Sequence, residues 1–217
     1  MKSTRGMLFL LLAGLFSSAA LAMTGGDATE KAWRFNVFLD DRPIGYHHFS
    51  LKQDGESEQI SSVAKFDVTF FAIPVFKYRH ENTEKWRGSC LKQITSTTRQ
   101  NGKDFRLQGE QKGSWFELVT QDSEQELPAC VSTFAYWNKS FLSRKRLLNS
   151  QTGEYIDVDI RYLGEQALPV ERAASTAHQY QIVAEDTHIL LWYSEDGEWL
   201  ALQSTTPSGQ VLRYLEE

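Results

Sequence analysis

His47 and His48 stand side by side in the run Ile44-Gly45-Tyr46-His47-His48-Phe49-Ser50-Leu51. Two imidazoles in one run suggest a metal site, because neutral histidine is a common ligand of transition metals. Neighbouring side chains of an extended strand point to opposite faces, so the pair cannot hold one ion without a bulge. The whole chain holds only five histidines, with two cysteines far apart and no spaced cluster of carboxylates. No metal and no cofactor are therefore expected. The expected arrangement is one imidazole hydrogen-bonded inside and one in solvent. Which is which depends on register: continuing the Leu39 to Ile44 pairing puts His48 on the Trp33 face, whereas Phe49 and Leu51 suggest the reverse.

Polar side chains beside aromatic ones are the candidates for ligand contact. Tyr136-Trp137-Asn138 has two readings. Either the aromatic pair lines a cavity and Asn138 fixes a ligand's polar end, or Trp137 fills the core and Asn138 caps a helix. Trp192 and Tyr193 adjoin an Asp196-Gly197 turn and point to opposite faces of a strand, so one belongs to the core and one is available for contact. Phe71 and Phe76 flank Pro74 in a highly apolar stretch, which is either a buried crossing between strands or an apolar lip where a greasy ligand enters. The residues expected to touch a ligand are thus Tyr46, His48, Phe71, Phe76, Tyr136, Trp137, Asn138 and Trp192. No catalytic residue is assigned, since the chain has no G-x-S-x-G elbow, no H-E-x-x-H, no C-x-x-C and no nucleotide-binding glycine loop. An enzyme on this scaffold would need Tyr46, His48 and Asn138 to converge in one pocket.

The elements that must position these residues are strands. Alternation with period two dominates after residue 32: Trp33, Phe35, Val37 and Leu39 share one face, and Ile60, Ala64, Phe66, Val68 and Phe70 share another. Turn chemistry separates the runs at Asp40-Asp41-Arg42-Pro43, Asp54-Gly55, Arg87-Gly88, Asn101-Gly102 and Glu195-Asp196-Gly197. Between Ser132 and Leu148 the spacing of Phe134, Trp137, Phe141, Lys145 and Leu148 changes to three and four, which predicts a short amphipathic helix. Residues 165 to 176 read as a loop. About ten short strands joined by hairpin-length turns and interrupted by one short helix predict an all-β chain. The expected architecture is a curved antiparallel sheet or half-open barrel with the helix as its cover, the alternative being a β-sandwich.

Bulk properties narrow the function. Lys2 and Arg5, the apolar run Met7 to Phe16 and Ala20-Leu21-Ala22 have the layout of a signal peptide cleaved after Ala22. The run is about half of what spanning a bilayer needs. Met23, where a lipidated cysteine would stand, points to a soluble periplasmic protein, residues 23 to 217 forming a single β-rich domain. The formal net charge is -5, and losing the two basic residues of the signal makes it -7. That sign argues against nucleic acid as a partner, and the basic triplet Arg144-Lys145-Arg146 reads as a solvated face. In an oxidising compartment Cys90 and Cys130 read as a disulfide, the alternative being two free thiols.

Several of these segments together resemble a bacterial family of exported proteins, domain of unknown function 6134. They are Gly45-Tyr46-His47, Tyr136-Trp137-Asn138, Asn149-Ser150-Gln151-Thr152-Gly153, Leu191-Trp192-Tyr193 with Gly197-Glu198-Trp199, and Ser208-Gly209 through Arg213-Tyr214-Leu215. The resemblance implies no activity and no residue role. The last third is also similar to exported half-open barrels such as periplasmic lipoprotein carriers, a likeness of fold alone. The function expected from all of this is binding: an apolar small molecule or lipid held in the curved sheet. An envelope assembly factor with a protein partner is the alternative, and a small-molecule enzyme the third possibility.

Overall fold

The computed structural model describes residues 29–217 except 72, 170–175, 186 and 207, so the expected signal segment Met1 to Ala22 lies outside the described residues. Among the described residues fifteen strands follow one another: β1 (Thr29–Leu39), β2 (Arg42–Asp54), β3 (Ser57–Phe70), β4 (Ile73–Arg87), β5 (Cys90–Gln100), β6 (Lys103–Lys112), β7 (Trp115–Thr120), β8 (Glu124–Pro128), β9 (Arg146–Leu148), β10 (Tyr155–Asp157), β11 (Asp159–Ala167), β12 (Thr176–Ala184), β13 (Thr187–Tyr193), β14 (Trp199–Thr205) and β15 (Val211–Glu216). Thirteen of them form one antiparallel sheet in the order β11-β12-β13-β14-β15-β1-β2-β3-β4-β5-β6-β7-β8, and β9 pairs with β10 apart from it. The sheet curves without closing, so the expected half-open barrel is the architecture. Chain order produces this because almost every strand is followed by a tight turn. Asn101 and Gly102 both have positive φ, as a two-residue hairpin of the Asn-Gly type requires.

Alternation sets which side chains fill the concave face. Trp33, Phe35 and Val37 of β1, Ile60, Ala64 and Phe66 of β3, and Tyr78 and Trp86 of β4 are buried there, with Leu191, Tyr193, Trp199 and Tyr214 from the C-terminal strands. Each side chain of this size contributes about 1.5–3 kcal/mol when fully buried. The last strand, β15, pairs with the first, β1, and this joins the two halves of the chain across the middle of the sheet.

One irregularity decides the histidines. In the β1–β2 ladder Val37 pairs with Gly45 and Phe38 with Pro43, so Ile44 is an extra residue, a β-bulge. Ile44 is buried on one side of the bulge, and beyond it the odd positions turn inward: His47 opposite Phe35, Phe49 opposite Trp33 and Leu51 opposite Lys31. Both conflicting cues in the sequence are satisfied at once. His47 is the inner imidazole, and His48 the outer one.

The amphipathic helix predicted over residues 132 to 148 is not formed. The segment holds a single 3₁₀ turn, Lys139–Ser143, and then enters β9. Its backbone is bonded elsewhere: Leu91 N–H donates to Val131 O, and Leu148 N–H to Ser132 O. The Asn138 side chain accepts from Ser140 N–H, and the Ser143 hydroxyl donates to Ser140 O, local bonds that compete with helix propagation. The segment nevertheless covers the concave face, burying Val131, Ala135, Phe141, Leu147 and Leu148. The segment expected as a loop from 165 begins instead as the end of β11, Asp159–Ala167.

Cys90 and Cys130 are joined by a disulfide across 40 residues, with Cα atoms 4.8 Å apart. Among the described residues no helix is long and apolar enough to cross a membrane.

Candidate functional site

Three rows of residues run across β2 to β5 on the concave face. His47, Ala64, His80 and Thr98 pair laterally in one, Phe49, Ser62, Asn82 and Ser96 in the next, and Leu51, Ile60, Glu84 and Ile94 in the third. Ser62 is too short to reach across the barrel, and a cavity of about 330 Å³ opens above it. His47, Ser62, His80, Asn82, Glu84 and Thr133 form its polar floor, and Phe49, Ile60, Phe134, Tyr136, Trp137 and Ile189 its apolar walls. The exposed lining residues Gln151, Glu154, Glu185 and Thr187 mark the mouth.

The floor is tightly bonded. Glu84, 3% exposed, accepts from Asn82 Nδ2 at 2.8 Å, Trp86 Nε1 at 2.8 Å and Thr133 Oγ1 at 3.2 Å. Burial raises its carboxyl above the ordinary range, and the three donors counter that in part. His80 Nδ1 lies 2.8 Å from the Thr98 hydroxyl, and His47 Nδ1 lies 3.3 Å from that of Tyr214. The His47 ring stacks on Phe49 and meets His80 edge-on at 6.4 Å. Two atoms of the floor are shielded from solvent without a partner among the described residues, His47 Nε2 and Asn82 Oδ1.

Burial pushes His80 down to about 4, and His47 is also lowered well below its ordinary value. As pH falls through about 6.5 the unfolded chain takes up protons at both positions, whereas folded His80 resists until about 4. Stability therefore drops across that window, by up to about 3 kcal/mol for His80 alone. Glu84 has the opposite sign, because its raised value removes stability as pH climbs above the ordinary carboxylate range. Urea denaturation at about pH 7 and about pH 4, compared between wild type and His80→Gln, reads the histidine contribution by difference, and the Glu84 contribution cancels. An equal acid loss in the two proteins would show that His80 takes no part in it.

The structure brings together only some of the residues proposed from sequence. Tyr136 and Trp137 line the cavity: the Tyr193 hydroxyl donates to Tyr136 O at 2.7 Å, and Trp137 meets Trp86 edge-on at 5.7 Å. Asn138 caps the 3₁₀ turn and donates to Gly88 O at 3.4 Å, outside the cavity lining. Tyr46 and His48 stack on each other at 4.5 Å on the outer face, where His48 Nε2 lies 3.1 Å from Glu217 Oε1. The bulge turns Tyr46 and His48 outward, and Tyr46, His48 and Asn138 do not converge in one pocket, which removes the version of an enzyme built on those three. Trp192 packs with Ala177 and Ala201 on the side of the sheet away from the main core, donating to Ala167 O. Phe76 packs against the core, while Phe71 is 86% exposed at the β3–β4 turn, and neither lines the cavity. Among the described residues no group of three or more His, Cys, Asp and Glu is placed to hold a metal.

Sequence reasoning missed Ser62, His80, Asn82 and Glu84. Their signal lies in the parity of β4: Phe76, Tyr78, His80, Asn82, Glu84 and Trp86 share the inward face, so a polar triplet sits between aromatic residues on a buried row.

The family described as Domain of unknown function (DUF6134) matches residues 35–215. The chain belongs to this family. The match runs from Phe35 in β1 to Leu215 in β15 and so takes in the segments that form the bulge, the polar floor and the covering segment of this chain. No curated protein matches the chain. Among solved structures, it is similar to the crystal structure of a β-barrel-like protein of domain of unknown function DUF1849 from Brucella abortus, with a TM-score of 0.58 and 10% identity. That likeness covers 86% of this chain and 94% of the other, and it concerns the fold.

Proposed function

We propose that this DUF6134 protein is a periplasmic binding protein that holds a small molecule with an apolar body in the concave face of its open barrel. The observation that supports this is the cavity of about 330 Å³ beneath the covering segment, with aromatic walls and a hydrogen-bonding floor. Such a mixture suits a ligand with one greasy part and one polar end. It narrows the expected apolar ligand, because a wholly hydrocarbon chain would leave His47 Nε2 and Asn82 Oδ1 unpaired. Export is supported by the layout of the first 22 residues and by the disulfide.

Native mass spectrometry of protein purified without denaturation, followed by solvent extraction, tests the reading. A bound small molecule is expected in wild type and its loss in Ser62→Phe, whose ring fills the void. A bare wild-type mass, with no stabilisation by envelope extracts, would count against binding.

A second reading, an envelope assembly factor acting through its surface, is favoured by one feature. Phe71, Ile73 and Val75 stand exposed together at the β3–β4 turn. Photo-crosslinking from position 73 in intact cells would trap a protein if that reading holds, and none otherwise.

A further inference from the structure

The charge of the cavity selects among ligands. Three carboxyl groups line it, Glu84 on the floor with Glu154 and Glu185 at the mouth, and among the described lining residues there is no lysine or arginine. Both floor histidines are held uncharged near neutral pH by burial. Glu84 therefore has hydrogen-bond donors but no countercharge in the lining. A buried carboxyl in that position either keeps its proton or takes a cationic partner. Asn82 points its amide nitrogen at Glu84, which leaves its Oδ1 enclosed and asking for an N–H donor. Around these groups stand the aromatic rings of Phe49, Phe134, Tyr136 and Trp137, whose faces attract cations.

We infer that the cavity takes a protonated amine on an apolar or aromatic body, its ammonium group seated against Glu84 and Asn82. This rests on the binding function proposed above and names the class of ligand. A carboxylate of the same shape would meet Glu84 on the floor and two more acids at the mouth with nothing positive to offset them, so fatty and aromatic acids are disfavoured against the amine.

Three probes of one shape separate the possibilities: 3-phenylpropylamine, 3-phenylpropanol and 3-phenylpropanoate, titrated calorimetrically into the purified protein. The amine is expected to bind at least about tenfold more tightly than the alcohol, and the acid not at all. In Glu84→Gln the preference of the cavity for the amine over the alcohol should vanish, and a cooperative urea transition with a wild-type near-ultraviolet circular dichroism spectrum shows that the variant is folded. Glu154→Gln with Glu185→Gln, both exposed, should weaken the amine by a smaller factor. An alcohol or acid that binds as well as the amine overturns the charge selection and leaves the binding function standing. Failure of all three probes to bind overturns the amine inference, and if the native mass is also bare, the binding function falls with it.

Discussion

Gly45→Ala should cost about 4 kcal/mol of stability, far more than a surface glycine substitution, and should disturb the cavity as well. The residue has φ +148°, and a Cβ built on it would stand 1.8 Å from Lys65 O in the neighbouring strand. That oxygen belongs to backbone, so β2 and β3 would have to separate. Because the bulge also sets which histidine faces inward, loss of its geometry should release His47 from Tyr214 and from its stack on Phe49. Gly55→Ala is the control: φ is +59°, and a Cβ there meets nothing within 4 Å, so the cost should stay near about 1 kcal/mol. Urea titrations followed by near-ultraviolet circular dichroism give both values. Equal costs at the two positions would mean that the close approach of β2 and β3 at Gly45 does not matter.

Removing the disulfide, by Cys90→Ala with Cys130→Ala or by a reductant, should cost about 4 kcal/mol, the loop-closure entropy of the 40-residue separation. The effect has a place as well as a size. Cys130 begins the segment that supplies Thr133, Phe134, Tyr136 and Trp137 to the cavity, and Arg144 reaches from the far end of the 3₁₀ turn to Ser89 O and Cys130 Sγ. Hydrogen exchange in residues 133–137 should therefore rise in the reduced protein at conditions where β13 and β14 remain protected. A stability change under about 1 kcal/mol would show that Thr133, Arg144 and the Leu91–Val131 bond already hold the segment.

Gly45, the cysteine pair and the histidine pair show how far the sequence could be read. Strands and turns were legible because each rests on local chemistry: two-fold alternation for β1 and β3, and Asn101-Gly102 for a hairpin. The bulge at Ile44 and Gly45 was visible only as a contradiction, since Ile44 and Phe49 demanded the same face at spacings that a regular strand cannot supply. The covering segment misled because Phe134, Trp137 and Phe141 fall at helical spacing, yet their burial is set by the disulfide, the Thr133–Leu148 bridge and caps from Asn138. Spacing records which side chains are buried; it does not say which backbone conformation delivers them.

By itself the sequence determined an all-β chain with its turns, an even cysteine pair and an acidic balance, because propensity, alternation and net charge are properties of neighbours or of composition. Tertiary structure alone decided that His47 and not His48 faces inward, and that β2, β3 and β4 bring His47, Ser62, His80, Asn82 and Glu84 into one floor. Those residues are up to 37 positions apart in the chain (Glu84 against His47) and meet only through strand register. Register is a long-range choice, made here by one extra residue and one missing Cβ, and from it follow both the cavity and its charge.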